Sequence, residues 1–427
     1  MKDKIIGVRE QPELRRWIPL SFQHVFAMFG ATVLVPLLTG LSPSTALFTS
    51  GIGTLLYILI TGGRVPAYLG SSFAFIPPII AISGSFGMEY ALGAAFCVGI
   101  FYLIVAFIIS KAGTGWIDRL LPPVVIGTVI MVIGLNLAPT AMNMAMNGPD
   151  GSYSLASVII AVVTLSIAVV SLLVLKGFFT VIPILIAFFG GYLFTLVAGS
   201  IWPAFSWIDF SSVKEAAWFG FTAPKIPKFS VVPIITFLLV SLATIAEHLG
   251  DTMVTSKVVG KDFLKDPGIH RTLAGDGAAT ALAALFGGPP NTTYGENIGV
   301  MAITRVYSVW VIGGAAVIAI ILSFITKVGA IINTVPVPVM GGISMMLFGI
   351  IASAGIRTVV ESGVDYTCKR NLTISSVILV IGIGGGRIFF PLNESLHFEL
   401  SGVALATLVG IVLNLILPKT IDSPKEE

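Results

Sequence analysis

Three acidic residues interrupt stretches that are otherwise apolar: Glu247 and Asp251 in the stretch 231–256, and Glu296 in the stretch 291–306. A spacing of four puts Glu247 and Asp251 on one helical face, where Thr244 and Thr255 extend a polar stripe. At bilayer depth a carboxylate costs about 2.5 to 3.5 kcal/mol on insertion scales, so each such residue is a functional candidate. Two acids this close in a low-dielectric site resist ionising together, and at least one is expected to hold a proton reversibly. A proton-coupled transporter needs such a group. Asp276 lies near the end of a stretch and is expected to be structural. His24 and His248 read as supporting hydrogen-bonded residues, and Gln23, uncharged, as one that fixes its helix against neighbours. Tyr68, Tyr294 and Phe73 offer rings that could stack on a planar ligand.

What must position these groups follows from composition. Of 427 residues, 24 are Lys or Arg and 21 are Asp or Glu, a charged share of 11%. Soluble domains carry roughly 25%, so there is too little charge here to coat a water-facing surface. The chain reads as a polytopic membrane protein. Fourteen stretches qualify as helical spans, near 17–39, 44–62, 66–82, 89–110, 121–142, 154–175, 179–202, 231–256, 272–287, 291–306, 308–327, 335–355, 371–388 and 400–417. With the amino terminus inside, only Lys214, Lys225, Lys228, Lys327 and Arg387 of the 24 basic residues fall outside. That bias predicts both termini in the cytoplasm. Lys2, Lys4, Lys419 and Lys425 contribute to it. No removable signal peptide is expected. The basic residues form no stripe for nucleic acid, and 2 cysteines and 4 scattered histidines make no metal cluster.

An internal repeat is visible. Gly51-Ile52-Gly53 with Pro66 beyond resembles Gly275-Asp276-Gly277 with Pro290 beyond, and the same offset of 224 carries Gln23-His24 onto Glu247-His248. Pro123, Gly127 and Gly134 recur as Pro338, Gly342 and Gly349. The copies lie seven spans apart, an odd number, so equivalent spans cross in opposite directions as an inverted repeat. One broken segment falls in each copy: Pro66 to Pro78 in the third span and Pro290 to Gly299 in the tenth, both too rich in Gly, Pro and polar residues for a continuous helix. Extended backbone at membrane depth must be satisfied within the protein. The expectation is two short strands paired antiparallel, each followed by a half helix whose first amides, near Phe73 and Glu296, face a shared cavity.

The run Ser21 to Thr32 (SFQHVFAMFGAT), the segment Ala67 to Phe75 (AYLGSSFAF) and the run Thr292 to Arg305 (TTYGENIGVMAITR) together resemble the bacterial uracil permeases of the nucleobase–ascorbate transporter family, also called nucleobase:cation symporter family 2. The resemblance spans essentially the whole chain. It implies an all-α fold of fourteen spans in two inverted seven-span repeats, 1–202 and 231–418, joined by an extracellular linker, 203–230, and followed by a cytoplasmic tail, 419–427. It further implies a core of spans 1–4 and 8–11, a gate of spans 5–7 and 12–14, and a homodimer formed through gate helices. The implied activity is proton symport of uracil across the inner membrane by an elevator-like movement, with no cofactor beyond the proton gradient.

By the same resemblance, Glu247 and Glu296 hold the base with their side chains, and Phe73 and Gly295 present backbone amides to it, with Ser72 and Tyr294 alongside. Asp251, Glu296 and Glu247 are the proton-coupling candidates, and Gln23, His24, His248 and Asn297 the supporting residues. Asn297, Gly299, Thr304 and Arg305 match an Asn-x-Gly-x4-Thr-Arg signature shared with purine-transporting members. Those members usually carry glutamine at the place of Glu296. Asp251 departs from the uracil pattern, which has a histidine there. The alternatives are a xanthine or urate specificity in the same family and, from another class, an anion transporter of the same fold. An enzyme is disfavoured, since no nucleophile–base pairing, metal cluster or phosphate loop is present.

Overall fold

The computed structural model describes residues 5–221, 225–393 and 396–418. Lys2, Lys4, Lys419, Lys425 and the 419–427 tail lie outside the described residues. The first half runs through α1 (Leu14–Thr39), α2 (Pro43–Ile60), β1 (Leu69–Ser71), α3 (Ile76–Ser85), α4 (Met88–Ala112), α5 (Gly115–Leu120), α6 (Pro123–Asn136), α7 (Ala138–Met146), α8 (Leu155–Val174) and α9 (Pro183–Ile201). A short α10 (Ser211–Glu215) lies in the connection. The second half runs through α11 (Val231–Val259), α12 (Ile269–Leu285), β2 (Asn291–Thr293), α13 (Gly295–Thr304), α14 (Val309–Phe324), α15 (Thr326–Asn333), α16 (Val337–Glu361), α17 (Lys369–Ile383), β3 (Arg387–Asn393), β4 (Leu396–Ser401) and α18 (Gly402–Ile416).

Among the described residues, 8 helical segments are long and apolar enough to cross a bilayer: α1, α2, α4, the α6–α7 pair, α8, α9, α11 and α16. Phe73–Ser85, α14 and α18 are apolar but shorter. The chain is thus a mostly helical, multi-pass membrane protein. Helix α12 shows why some elements escape a hydropathy criterion. It carries His270, Arg271 and Asp276, yet most of it is buried, packed between α2 and α4. A helix enclosed by protein need not be apolar all round. Its glycines allow the close approach: a Cβ on Gly99 of α4 would fall 2.6 Å from the Gly277 carbonyl oxygen, and one on Gly277 2.8 Å from that of Gly99.

Strands β1 and β2 pair antiparallel, with Leu69 opposite Thr293, Gly70 opposite Thr292 and Ser71 opposite Asn291. Each ribbon strand is anchored at its first residue by a hydroxyl from the preceding long helix. The Leu69 N–H donates to Thr54 Oγ1 (2.9 Å) and the Asn291 N–H to Thr280 Oγ1 (3.2 Å). Every residue of both strands is buried. The backbone groups of these two short extended segments are therefore taken up within the protein.

Two local features differ from the sequence reading. Helix α17 ends at Ile383, not near 388, because Gly384-Gly385-Gly386 follows and Gly385 takes φ 73°. The connection after it forms an antiparallel hairpin, β3 against β4, with Arg387 opposite Ser401. No strands had been expected outside the two broken spans.

Candidate functional site

Helix α11 packs along β2, α13 and the 3-10 turn Phe73–Phe75. It turns Glu247 and Asp251 toward these elements, and both stay half-buried while Thr244, His248 and Thr255 on the same helix are buried. Thr293 Oγ1 donates to Asp251 Oδ2 at 2.8 Å, fastening the α11 carboxylate to the ribbon. Thr255 Oγ1 donates back to the Asp251 carbonyl at 2.7 Å. Helix α11 also packs on α13, which carries Glu296 in its first turn. The three acids picked out in the sequence thus sit on elements that pack directly against one another.

The half helices supply the complementary groups. Helix α13 begins at Gly295 with Glu296 in its first turn, next to the positive end of the helix dipole. Tyr294 caps it without a side-chain hydrogen bond. The Phe73 and Gly295 N–H groups open their helices and, among the described residues, have no hydrogen-bond partner. Gly295 is exposed, and a Cβ built on it would meet nothing within 4 Å. Phe73, half-buried, sets its ring edge-on to Phe348 of α16 at 6.4 Å between centroids. Open space, two free donors and three carboxylates are therefore carried by elements that pack around the ribbon. That arrangement suits a neutral ligand bearing both donors and acceptors.

The remaining candidates divide by burial. Asn297 Nδ2 lies 3.0 Å from His24 Nδ1 and donates to the His24 carbonyl at 3.2 Å, tying α13 to α1. His248 Nδ1 lies 3.1 Å from Asp276 Oδ2, with side chains 0% and 1% exposed, joining α11 to α12. Gln23 is half-buried, and among the described residues its Oε1 has no hydrogen-bond partner; neither has the buried Ser72 hydroxyl. The Ser72 amide is taken by the Pro290 carbonyl at 2.9 Å. Tyr294 departs from the expectation of a stacking ring. It is buried, donates its hydroxyl to the Ser71 carbonyl (3.1 Å), accepts from Thr32 Oγ1 (3.3 Å), and lies where a side chain on Gly70 would be. Its ring fixes the ribbon to α1 and presents no open face. Tyr68, equally buried, bonds Ser50 at 3.2 Å.

The signature residues separate in the same way. Asn297 reaches the site's support, whereas Thr304 and Arg305 end α13. Thr304 Oγ1 accepts from the Val306 N–H at 3.3 Å, and Arg305 takes φ 56° while its carbonyl receives the Ile6 N–H at 3.2 Å. Thr293 is the polar contact that sequence reasoning missed. Its position in a Thr-Thr pair inside the broken segment was the available signal, since a hydroxyl at membrane depth needs a partner.

The family model Xan_ur_permease, described as "Permease family", matches residues 15–389. The uracil permease of Bacillus caldolyticus is 52% identical over 98% of this chain and 96% of its own length. That of Escherichia coli (strain K12) is 47% identical over 97% of this chain and 94% of its own. Among solved structures, SLC26A9 is similar with a TM-score of 0.70 at 13% identity, covering 95% of this chain and 66% of that one. The transmembrane domain of the cyanobacterial bicarbonate transporter BicA gives 0.65 at 13% identity, covering 96% and 100%. At that identity the likeness concerns the fold alone.

Proposed function

The chain belongs to the permease family, grouped with the bacterial uracil permeases, and from that premise we propose that it imports uracil together with protons across the cytoplasmic membrane. It is a transporter and not an enzyme. Uracil is a neutral planar ring with two N–H donors and two carbonyl acceptors. Glu247 and Glu296 accept from the ring N–H groups, and the Phe73 and Gly295 amides donate to its carbonyls. Ser72 and Tyr294 back the pocket, Ser72 from beside Phe73 and Tyr294 by holding the ribbon. Gln23, His24, His248 and Asn297 hold the frame. Glu296 shares the transported proton with Asp251 or Glu247, and its arrival neutralises the cluster enough for the loaded core to move.

The architecture we propose has fourteen spans in two inverted repeats, 1–202 and 231–418, with 203–230 as an extracellular linker and both termini cytoplasmic. The pattern of helix packing supports it. α4 packs on α12 as α14 packs on α2, α8 on α9 as α17 on α18, and α1 on α14 as α11 on α4. Each pair maps onto its partner when the halves are exchanged. The core, α1–α4 with α11–α14, moves as an elevator against the gate, α6–α9 with α16–α18, in a homodimer joined through gate helices.

One observation carries the substrate reading: carboxylates of α11 and α13 stand beside unpartnered helix-opening amides and open space at Gly295. The fold neighbours include anion transporters, and helix amino termini alone would suit an anion. Three carboxylates in the same space repel one. Binding of labelled uracil to the purified protein, challenged with unlabelled uracil, xanthine, urate and bicarbonate, tests the assignment. Displacement by uracil alone is expected; displacement by xanthine or urate as effective as by uracil would move the chain to the purine branch, and by bicarbonate to the anion class.

A further inference from the structure

A groove of about 680 Å³ opens on the outside of the bundle between α1, α2 and α14. Its walls are apolar: Ile18, Leu55, Ile58, Trp310 and Val317 line it, with Gly313 in its floor. Ile18, Trp310 and Val317 are 48%, 46% and 45% exposed. From Val309 to Ile318 the groove follows α14 for about 13 Å at 1.5 Å per residue. On a membrane-embedded helix such a surface faces acyl chains.

At one end the groove reaches Arg9, whose guanidinium donates to the Gly62 carbonyl at 3.3 Å. Arg9 also borders a second, polar pocket of about 670 Å³, shared with Arg64, Lys261, Asp262, Lys265 and Asp266. Two of its cations are matched: Arg64 pairs with Asp266, and Lys265 lies 3.5 Å from Asp262. Among the described residues, Arg9 and Lys261 have no carboxylate partner. An apolar slot thus shares Arg9 with a pocket holding two cations that lack a carboxylate partner among the described residues, and tryptophans Trp17 and Trp310 line the slot with Arg9, Trp17 Nε1 donating to the Trp310 carbonyl at 2.6 Å. Aromatic rings and basic residues at that depth mark the level of lipid headgroups.

We propose that these adjoining cavities form a binding site for one anionic phospholipid, its acyl chain in the α1–α2–α14 groove and its phosphate between Arg9 and Lys261. The site lies apart from the carboxylate cluster and does not depend on the transport reading. Charge complementarity selects the occupant: a zwitterionic headgroup would bring its own cation to a pocket already in positive excess.

The test is native mass spectrometry of the full chain in detergent, titrated with phosphatidylglycerol or phosphatidylcholine. Wild-type protein is expected to retain phosphatidylglycerol preferentially. Arg9→Gln and Lys261→Gln, both at exposed side chains, are each expected to weaken that retention about fivefold, and Arg9→Lys to preserve it. Gly313→Phe, whose Cβ comes no closer than 3.8 Å to Ile58, fills the groove and is expected to lower retention of both lipids. Equal retention of the two lipids by wild type, or an undiminished preference in the Arg9→Gln/Lys261→Gln double variant, would overturn the proposal. So would a lipid-free dimer that Gly313→Phe splits, which would give the groove to a second copy of the chain.

Discussion

Leu69 pairs across the ribbon with Thr293, the residue 224 positions further along the chain. The same interval separates Gly51 from Gly275 and Pro66 from Pro290. In an antiparallel pairing, a residue facing its own repeat counterpart is what a two-fold axis through that pair produces. The ribbon is therefore the hinge point of the proposed symmetry, and both half helices leave it from opposite ends. The carboxylates, the free amides and the open space at Gly295 are all referred to it.

The ribbon's stability depends on close approach at Gly70. A Cβ there would fall 2.7 Å from the Tyr294 hydroxyl oxygen and closer still to its ring. Gly70→Ala is expected to destabilise the protein by about 1 to 3 kcal/mol, the usual cost of overpacking, seen as a lower thermal unfolding midpoint in detergent. Tyr294→Phe, which removes the bonds to Ser71 and Thr32, is expected to cost about 1 kcal/mol. An unchanged midpoint for Gly70→Ala would show that the ribbon tolerates separation.

Gly295→Ala separates binding from folding. Among the described residues no other side chain or more distant backbone lies within 4 Å of the added methyl group, so the unfolding midpoint should stay that of wild type. The methyl enters the space assigned to the ligand. Uracil affinity is expected to fall about tenfold, equivalent to about 1.4 kcal/mol, measured by equilibrium binding. Full affinity would place the base elsewhere.

Much of this was legible in the chain, for identifiable reasons. Acids in apolar stretches are rare enough that Glu247, Asp251 and Glu296 could be singled out one by one, and the offset of 224 brought the two broken segments together. What the sequence withheld depends on contacts between distant parts. Nothing local says that Tyr294 turns its ring onto Gly70 and not into the open space, or that Thr293 reaches Asp251. Helix α12 was counted as a span at 272–287, although buried polar residues such as Asp276 and Thr280 leave it less apolar than its neighbours. The β3–β4 hairpin was missed because short strands give a weak signal beside apolar helices.

The acids should divide by role. Glu247→Gln and Glu296→Gln each replace an acceptor-only carboxylate by an amide, and each is expected to weaken uracil binding about 10- to 100-fold, the loss of about 1.5 to 3 kcal/mol from a hydrogen bond to a charged group. Wild-type uptake is expected to accelerate as external pH is lowered; Asp251→Ala should bind uracil yet lose that acceleration. If Asp251→Ala and Glu247→Gln both kept gradient-driven accumulation, the proton assignment would fail.

Movement of core against gate can be tested where the two meet. Lys257 at the end of α11 and Glu361 at the end of α16 are exposed and stand 4.0 Å apart. With Cys97 and Cys368, both free, changed to serine, Lys257→Cys and Glu361→Cys provide a pair for a short thiol crosslinker. Crosslinked protein is expected to bind uracil and not transport it. Full transport after complete crosslinking would exclude sliding at this boundary.

The most direct measurement is uptake of radiolabelled uracil into proteoliposomes containing only this protein, with the outside acidified relative to the lumen. The account predicts accumulation above equilibrium that collapses on adding a protonophore and is absent from Glu296→Gln. Uptake that only equilibrates whatever the gradient, or none above protein-free liposomes, would contradict it.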